Sequence, residues 1–284
     1  MQYEIIDFHT HPFMDAASNI CRFKEKGVED TVSYLRGLGI SKICGSVIAG
    51  EMPGATPWER IQESNRMALE LQEKYAGFYV PGFHVHPAYV KESCIEIERM
   101  HHRGLRLIGE LVPYIHGWSD YSCKAFDEIL DTAEQFEMVV NFHSGDQDQM
   151  DAMVRKHPNT VLVAAHPNDG ANYLRHLERM RLSENYYLDL SGTGLFRHRM
   201  LRHGIDTCGV HRFLFGSDYP VCNPAMFIGG VALDTLLTEE EKQQIFSGNA
   251  KRLLQLSGNA SPGTSNRMRP VLSLVMRRSQ PGSG

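Results

Sequence analysis

Eight short apolar runs recur along the chain: EIIDFH (4–9), KICGSVI (42–48), FYVPGFHV (78–85), LRLIGE (105–110), MVVNFH (138–143), TVLVAAH (160–166), NYYLDLS (185–191) and RFLFGSD (212–218). They are nearly continuous rather than strictly alternating, the pattern of strands buried on both faces of a parallel sheet. The longer stretches between them carry apolar residues at helical spacing, as at 58–75, 123–137, 148–158 and 171–181. The segment 238–256 reads as two short helices broken at Ser247-Gly248, with Asn249 capping the second. Eight strands alternating with helices predict an α/β fold, a (β/α)8 TIM barrel. A doubly wound sheet would alternate too, but no glycine-rich dinucleotide fingerprint follows the first run. Residues 1–256 read as one barrel domain. Residues 257–284, rich in Ser, Gly, Pro and Asn, read as a disordered or loosely docked tail.

Composition narrows the picture. The chain has 284 residues, 42% of them hydrophobic, and a net charge of −5, which offers no electrostatic footprint for nucleic acid. No run of apolar residues is long enough to span a membrane. The six cysteines are thinly spread with no Cys-x-x-Cys pair, which suits reduced thiols. With no signal-like N-terminus, a cytoplasmic location is the expectation.

The chemistry gathers where the runs end. The first ends in His9-Thr10-His11, the third in His84-Val85-His86, the fourth in Glu110, the fifth in His143, the sixth in His166 and the eighth in Asp218. Barrel active sites sit at the C-terminal ends of the strands. Residues i and i+2 of a strand point the same way, so His9 and His11 can hold one ion between them. Imidazole nitrogen and carboxylate oxygen suit Zn2+ and similar divalent ions. A carboxylate such as Asp218 beside a metal-activated water can take its proton and pass it to a leaving group. His84 and His86 have a second reading, as pocket walls or as a strand cap before Pro87. The remaining histidines, His176 among them, read as surface or packing residues.

With these residues assembled, IIDFHTHPF, PGFHVHP, VVNFHSG, VLVAAHP, LDLSG, LFGSDYP and IFSGNAKRLL resemble the amidohydrolase superfamily. They are most similar to its aminocarboxymuconate semialdehyde decarboxylase-like branch, amidohydrolase family 2. The resemblance spans nearly all of 1–256. It implies a distorted barrel holding a divalent metal, usually zinc, with His9, His11, His143 and Asp218 as ligands. His166 is then either a ligand or a group that activates the water or polarises the substrate. Many two-metal members carry a carbamylated lysine where this chain has Glu110. That glutamate can bridge two ions, with His143 and His166 on the second, orient a ligating histidine, or bind substrate. One ion is expected, with two as the alternative. GELVPY is also similar to the metal-dependent deoxyribonuclease-like branch, which the rest of the chain fits less well.

The first functional expectation is a metal-dependent hydrolase of a small amide, ester or lactone, with Asp218 as general acid/base and His166 stabilising developing charge. The alternative on the same scaffold is a non-oxidative decarboxylase, a lyase, of a small carboxylated substrate; Arg197, Arg60 and Arg22 are its candidate carboxylate clamps. A non-catalytic metal-binding barrel is a third reading, opposed by the intact Asp218. Substrate-wall candidates are His86, Tyr114, Trp118 and Arg197, with His116, Phe13, Met52, Trp58 and Phe196 behind them. The expected partner is a small molecule, with neither nucleic acid nor membrane. Family resemblance also admits a homodimer, for which no interface is legible.

Overall fold

The first run forms β1 (Ile5–Thr10), with every side chain buried. In this computed structural model, which describes residues 3–21, 23 and 27–256, seven more strands follow. They are β2 (Ile40–Ser46), β3 (Tyr79–Phe83), β4 (Leu107–Leu111), β5 (Val139–His143), β6 (Val161–Ala165), β7 (Tyr186–Asp189) and β8 (Phe213–Leu214). Arg22 and the 257–284 segment lie outside the described residues. The strands pair in chain order, each parallel to the next, as a (β/α)8 barrel requires.

Helices fill the connections: α1 (Val28–Gly37), α2 (Pro57–Lys74), α3 (Val90–His102), α4 (Pro113–His116), α5 (Lys124–Gln135), α6 (Gln147–Lys156), α7 (Gly170–Leu182), α8 (Met200–Cys208) and α9 (Pro224–Ala232). Local chemistry sets their starts. α2 begins with a Thr56–Glu59 capping box and Pro57 in its first turn, and α6 is capped by the Asp146 carboxylate. No helix among the described residues is long and apolar enough to cross a membrane.

The last helical segment differs from the sequence expectation. α10 (Glu239–Gln243) runs through a five-residue π-turn, Gln244–Gly248, into α11 (Asn249–Leu254) without a break. Asn249 does not cap α11, because its amide donates to Val210 O at 2.9 Å and Phe213 O at 2.8 Å, tying the helix to the start of β8.

Two apolar layers follow from strand alternation. Ile6, Phe8, Cys44, Leu107, Val139, Val163, Tyr187 and Leu214 form one cluster inside the ring, closed below by Ala250 and Leu254 of α11. Ile5, Ile43, Phe83, Ile108, Phe142 and Leu188 pack outward with the helices. The inner cluster forms a solid floor, so polar groups of the site stand only above it.

The ring closes between the first and last strands. Phe8 N donates to Phe215 O at 2.9 Å, His11 N to Tyr219 O at 2.7 Å, and Asp218 N to His9 O at 2.9 Å. The buried Asp7 carboxylate accepts from Ser217 N at 2.9 Å and Ser217 Oγ at 2.5 Å. β8 is shorter than the 212–218 run because Ser217 turns to Asp7 and Asp218 adopts a left-handed backbone, φ 63°.

Candidate metal centre

Glu110 is the hub of the site. Its Oε2 lies 3.0 Å from His11 Nε2 and 3.2 Å from His9 Nε2. Its Oε1 lies 3.0 Å from His143 Nδ1 and 3.6 Å from His166 Nε2. Asp218 Oδ1 stands 3.7 Å from His9 Nε2 and 3.8 Å from His11 Nε2. Three donor groups result, each with its ligand atoms within 4.8 Å of one another: His9, His11 and Asp218; Glu110, His143 and His166; and His9, His166 and Asp189. His9, His11, Glu110, His143, His166 and Asp218 are thus brought to one place.

Bringing them there takes two irregularities in the sheet. Ile6 and Phe8 face the barrel interior, so plain alternation would carry His9 and His11 outward with Ile5. A register shift between Asp7 and Thr10 turns both imidazoles inward. A second shift between Ile108 and Leu111 does the same for Glu110. Gly82 permits β4 to approach, since a Cβ there would meet Gly109 O at 2.0 Å. Gly192 leaves room for the His166 ring, which a Cβ would meet at 2.3 Å.

Partner chemistry fixes the tautomers. His11 Nδ1 lies 3.0 Å from the Ser46 carbonyl, so it donates and leaves Nε2 bare. His9 Nδ1 donates to Asp189 Oδ2 at 2.8 Å. The Ser191 hydroxyl donates to Asp189 Oδ1 and therefore accepts from His166 Nδ1 at 3.0 Å. Three bare Nε2 atoms thus face a carboxylate, acceptor against acceptor. His9 Nε2 is buried and has no hydrogen-bond partner. A cation between these atoms removes the conflict, and the imidazole and carboxylate donors suit a divalent metal.

Without an ion, a proton takes its place: burial opposes charge on His9, yet Asp189 and Glu110 hold its imidazole well above the usual range, so a divalent ion binds in competition with that proton. Burial raises Glu110, but His9, His11 and His143 pull its carboxyl well below. Burial pushes the Asp218 carboxyl up, only partly offset by His9 and His11, which suits a group that holds and releases a proton. Burial lowers His166, which stays neutral and offers a lone pair rather than a hydrogen at Nε2.

The chamber above the cluster is small, about 90 Å3, and its apolar wall comes from Ile20, Ile48, Val112, Ile115 and Val221. Tyr114 lines it, with its ring 5.3 Å from that of His143. The other wall candidates stand apart. His86 has both ring nitrogens engaged, Nε2 to His116 O at 3.0 Å and Nδ1 from Ala88 N at 3.0 Å, and caps a short 3-10 turn. Trp118 packs on Tyr121 and Phe126. Arg197 donates to Asn168 O and lies over the exposed Phe196 ring. Phe13 is buried and Trp58 stacks on Tyr89.

Sequence reasoning missed Asp189, Ser191 and Asn141. All three are buried, and Asn141 Nδ2 donates to Asp189 Oδ2 at 3.1 Å. The same strand-end rule finds the first two in LDLS at the end of β7, where alternation points both inward.

Behind the chamber, His176 Nδ1 accepts from Tyr186 OH at 2.7 Å, and Nε2 faces Ser144 Oγ at 3.4 Å. Burial, with Arg179 nearby, pushes this imidazole down to about 3. In the unfolded chain it titrates near 6.5, so between these values the unfolded state binds the extra proton and stability falls as pH falls. Urea unfolding from pH 7 to pH 4 is expected to show this loss, with His176 contributing a slope of about 1.4 kcal/mol per pH unit. His176→Gln should flatten the slope by that amount; an unchanged slope would remove His176 as its source.

A family model described as Amidohydrolase matches residues 6–256. The chain belongs to the amidohydrolase family. Solved structures share this amidohydrolase's fold. The 2,6-dihydroxybenzoate decarboxylase from Rhizobium superposes with a TM-score of 0.71 at 13% identity, covering 90% of this chain and 100% of that one. A dihydroxybenzoic acid decarboxylase from Polaromonas sp. JS666, with bound manganese and the inhibitor 2-nitroresorcinol, gives 0.70 at 15% identity, over 90% and 98% of the two chains. The 4-oxalomesaconate hydratase from Rhodopseudomonas palustris gives 0.64 at 15% identity, over 88% and 95%. No curated protein matches the sequence of this amidohydrolase. At these identities the structural likeness speaks for the fold. The family and the donor set together make this a metal-dependent amidohydrolase-type enzyme.

Proposed function

We propose that this amidohydrolase removes CO2 from a small carboxylated molecule without an oxidant, using a divalent ion such as Zn2+ or Mn2+. One observation carries the reading: a small apolar chamber stands directly over the donor cluster, with the buried Asp218 carboxyl at its edge. Decarboxylases of the same fold support it. His9, His11, Glu110, His143, His166 and Asp218 would hold the metal, whose positive charge would steady the substrate's oxygens. The apolar walls exclude water around the reacting carboxylate. Asp218 delivers its proton to the carbon bearing the carboxylate. The bond to CO2 then breaks, its electron pair stays on that carbon, and solvent restores the proton on Asp218. Tyr114, its ring 5.3 Å from that of His143, supplies a hydroxyl donor at the chamber wall.

Hydrolysis of an ester, lactone or amide is the second reading. The placement of Glu110 favours it, because a carboxylate with one oxygen toward His9 and His11 and the other toward His143 and His166 is suited to bridge two ions. Isotopes separate the two. The metal-loaded protein is incubated with a panel of aromatic and unsaturated carboxylates, esters, lactones and amides in D2O, and separately in 18O-labelled water. Decarboxylation is expected to release CO2 and place one deuterium on the product carbon, with no 18O. Product 18O without CO2 would overturn the first reading in favour of the second.

A further inference from the structure

A second cavity, of about 200 Å3, lies beside the metal chamber; Ile115 walls both. Arg60 of α2 and His116 of α4 line it. Among the described residues the Arg60 side chain makes no hydrogen bond or ion pair, and its Nε is buried without a partner. His116 is 4% exposed, and its Nε2 is likewise buried and unpartnered. Behind it, 4.6 Å between ring centroids, His84 has donated Nε2 to Val47 O at 2.9 Å and has its Nδ1 unpartnered. Ser64 contributes little, since its hydroxyl donates to Arg60 O at 3.1 Å and accepts from Ala49 N at 3.0 Å. Glu51 also lines the cavity, but it is exposed and forms no ion pair with Arg60.

An unpaired buried donor in a folded chain calls for a partner. A guanidinium excludes a cation, and its planar fork matches a carboxylate. Of the two other candidate clamps, Arg197 donates to Asn168 O, and Arg22 lies outside the described residues. We propose that the Arg60–His116 cavity is a subsite for a carboxylate arm of the substrate, distinct from the group that reacts at the metal chamber. This rests on the reading of that chamber as a reaction site. The substrate is then a compact molecule with at least one carboxylate held away from the reacting carbon, the arm passing Ile115.

Titration calorimetry with acetate, glutarate, isophthalate and inorganic phosphate tests this, on metal-loaded wild type, Arg60→Met and Arg60→Lys, with 15N histidine spectra read at His116. Isophthalate or glutarate is expected to bind at least about tenfold more tightly than acetate. Arg60→Met should erase that advantage at unchanged metal content, and Arg60→Lys should keep part of it. The His116 resonance should move with the dicarboxylates and not with acetate. Equal affinities that ignore Arg60, or Arg60-dependent binding of phosphate alone, would overturn the proposal. Arg60-dependent dicarboxylate binding without turnover of any panel compound would keep the subsite and sink the reaction. Turnover indifferent to Arg60 would do the reverse.

Discussion

Glu110→Gln is expected to bind divalent metal more than about 100-fold more weakly than wild type, because even outer partners of metal ligands are worth about 10–100-fold. Turnover should fall close to background. Among the described residues the glutamate alone lies against all four imidazoles of the cluster, and it supplies the negative charge between them. The amide keeps the shape but removes that charge. It also brings two N–H donors at one end, which two of the bare imidazole nitrogens accept, so much of the acceptor conflict is relieved without an ion. The metal-free variant should therefore fold as well as wild type. What disappears is the stabilisation on adding metal, seen as a rise in melting temperature; at a hundredfold excess over Kd that stabilisation amounts to about 2.7 kcal/mol for wild type. Elemental analysis with thermal melts, with and without Zn2+ or Mn2+, reads both quantities. Normal metal content with a normal thermal shift would mean that Glu110 serves the substrate instead.

Asp189→Asn is expected to weaken metal binding by about 10–100-fold and to destabilise the metal-free fold by about 1–3 kcal/mol. Asp189 is fully buried and ionised: burial pushes its carboxyl up, but His9 and Ser191 hold it below the usual range. One oxygen orients His9 through Nδ1, and the other takes the Ser191 hydroxyl that in turn fixes His166. Asparagine offers a single acceptor, so one of these imidazoles loses its anchor. A His9 ring that flips its proton to Nε2 can no longer offer a lone pair there. Asp189 is thus a positioning residue, and the test is the metal affinity together with the 15N shifts of His9, which report the tautomer. A variant with the wild-type tautomer and affinity would assign Asp189 to packing alone.

The barrel was legible because its strands are buried on both faces, and such runs stand out against amphipathic helices. The strand-end rule found His143 on a regular strand, where alternation holds from Val139 through Asn141 to His143. It also pointed to His9, His11 and Glu110, though for an incomplete reason. Same-side spacing relates His9 to His11, but their inward direction comes from a register shift that spacing cannot reveal. The tautomer network was illegible for a similar reason. Asp189, Ser191 and Ser46 matter through which ring nitrogen they touch, and that depends on distances across three strands. Arg60 was visible as a clamp candidate, but only the absence of a partner in the fold separates it from Arg197.

The seam between β1 and β8 has a consequence for how the enzyme comes into being. Ser217 and Asp7 are 210 positions apart, and the same seam carries His9 and Asp218. Contacts of such long sequence separation form late, since a large loop must close before they reward the chain. A nascent chain that has finished its first seven strands still lacks Asp218, the last member of the donor set around His9. Competence to hold an ion there therefore arrives at one moment, when the last strand docks, and serves as an internal signal that the ring is complete.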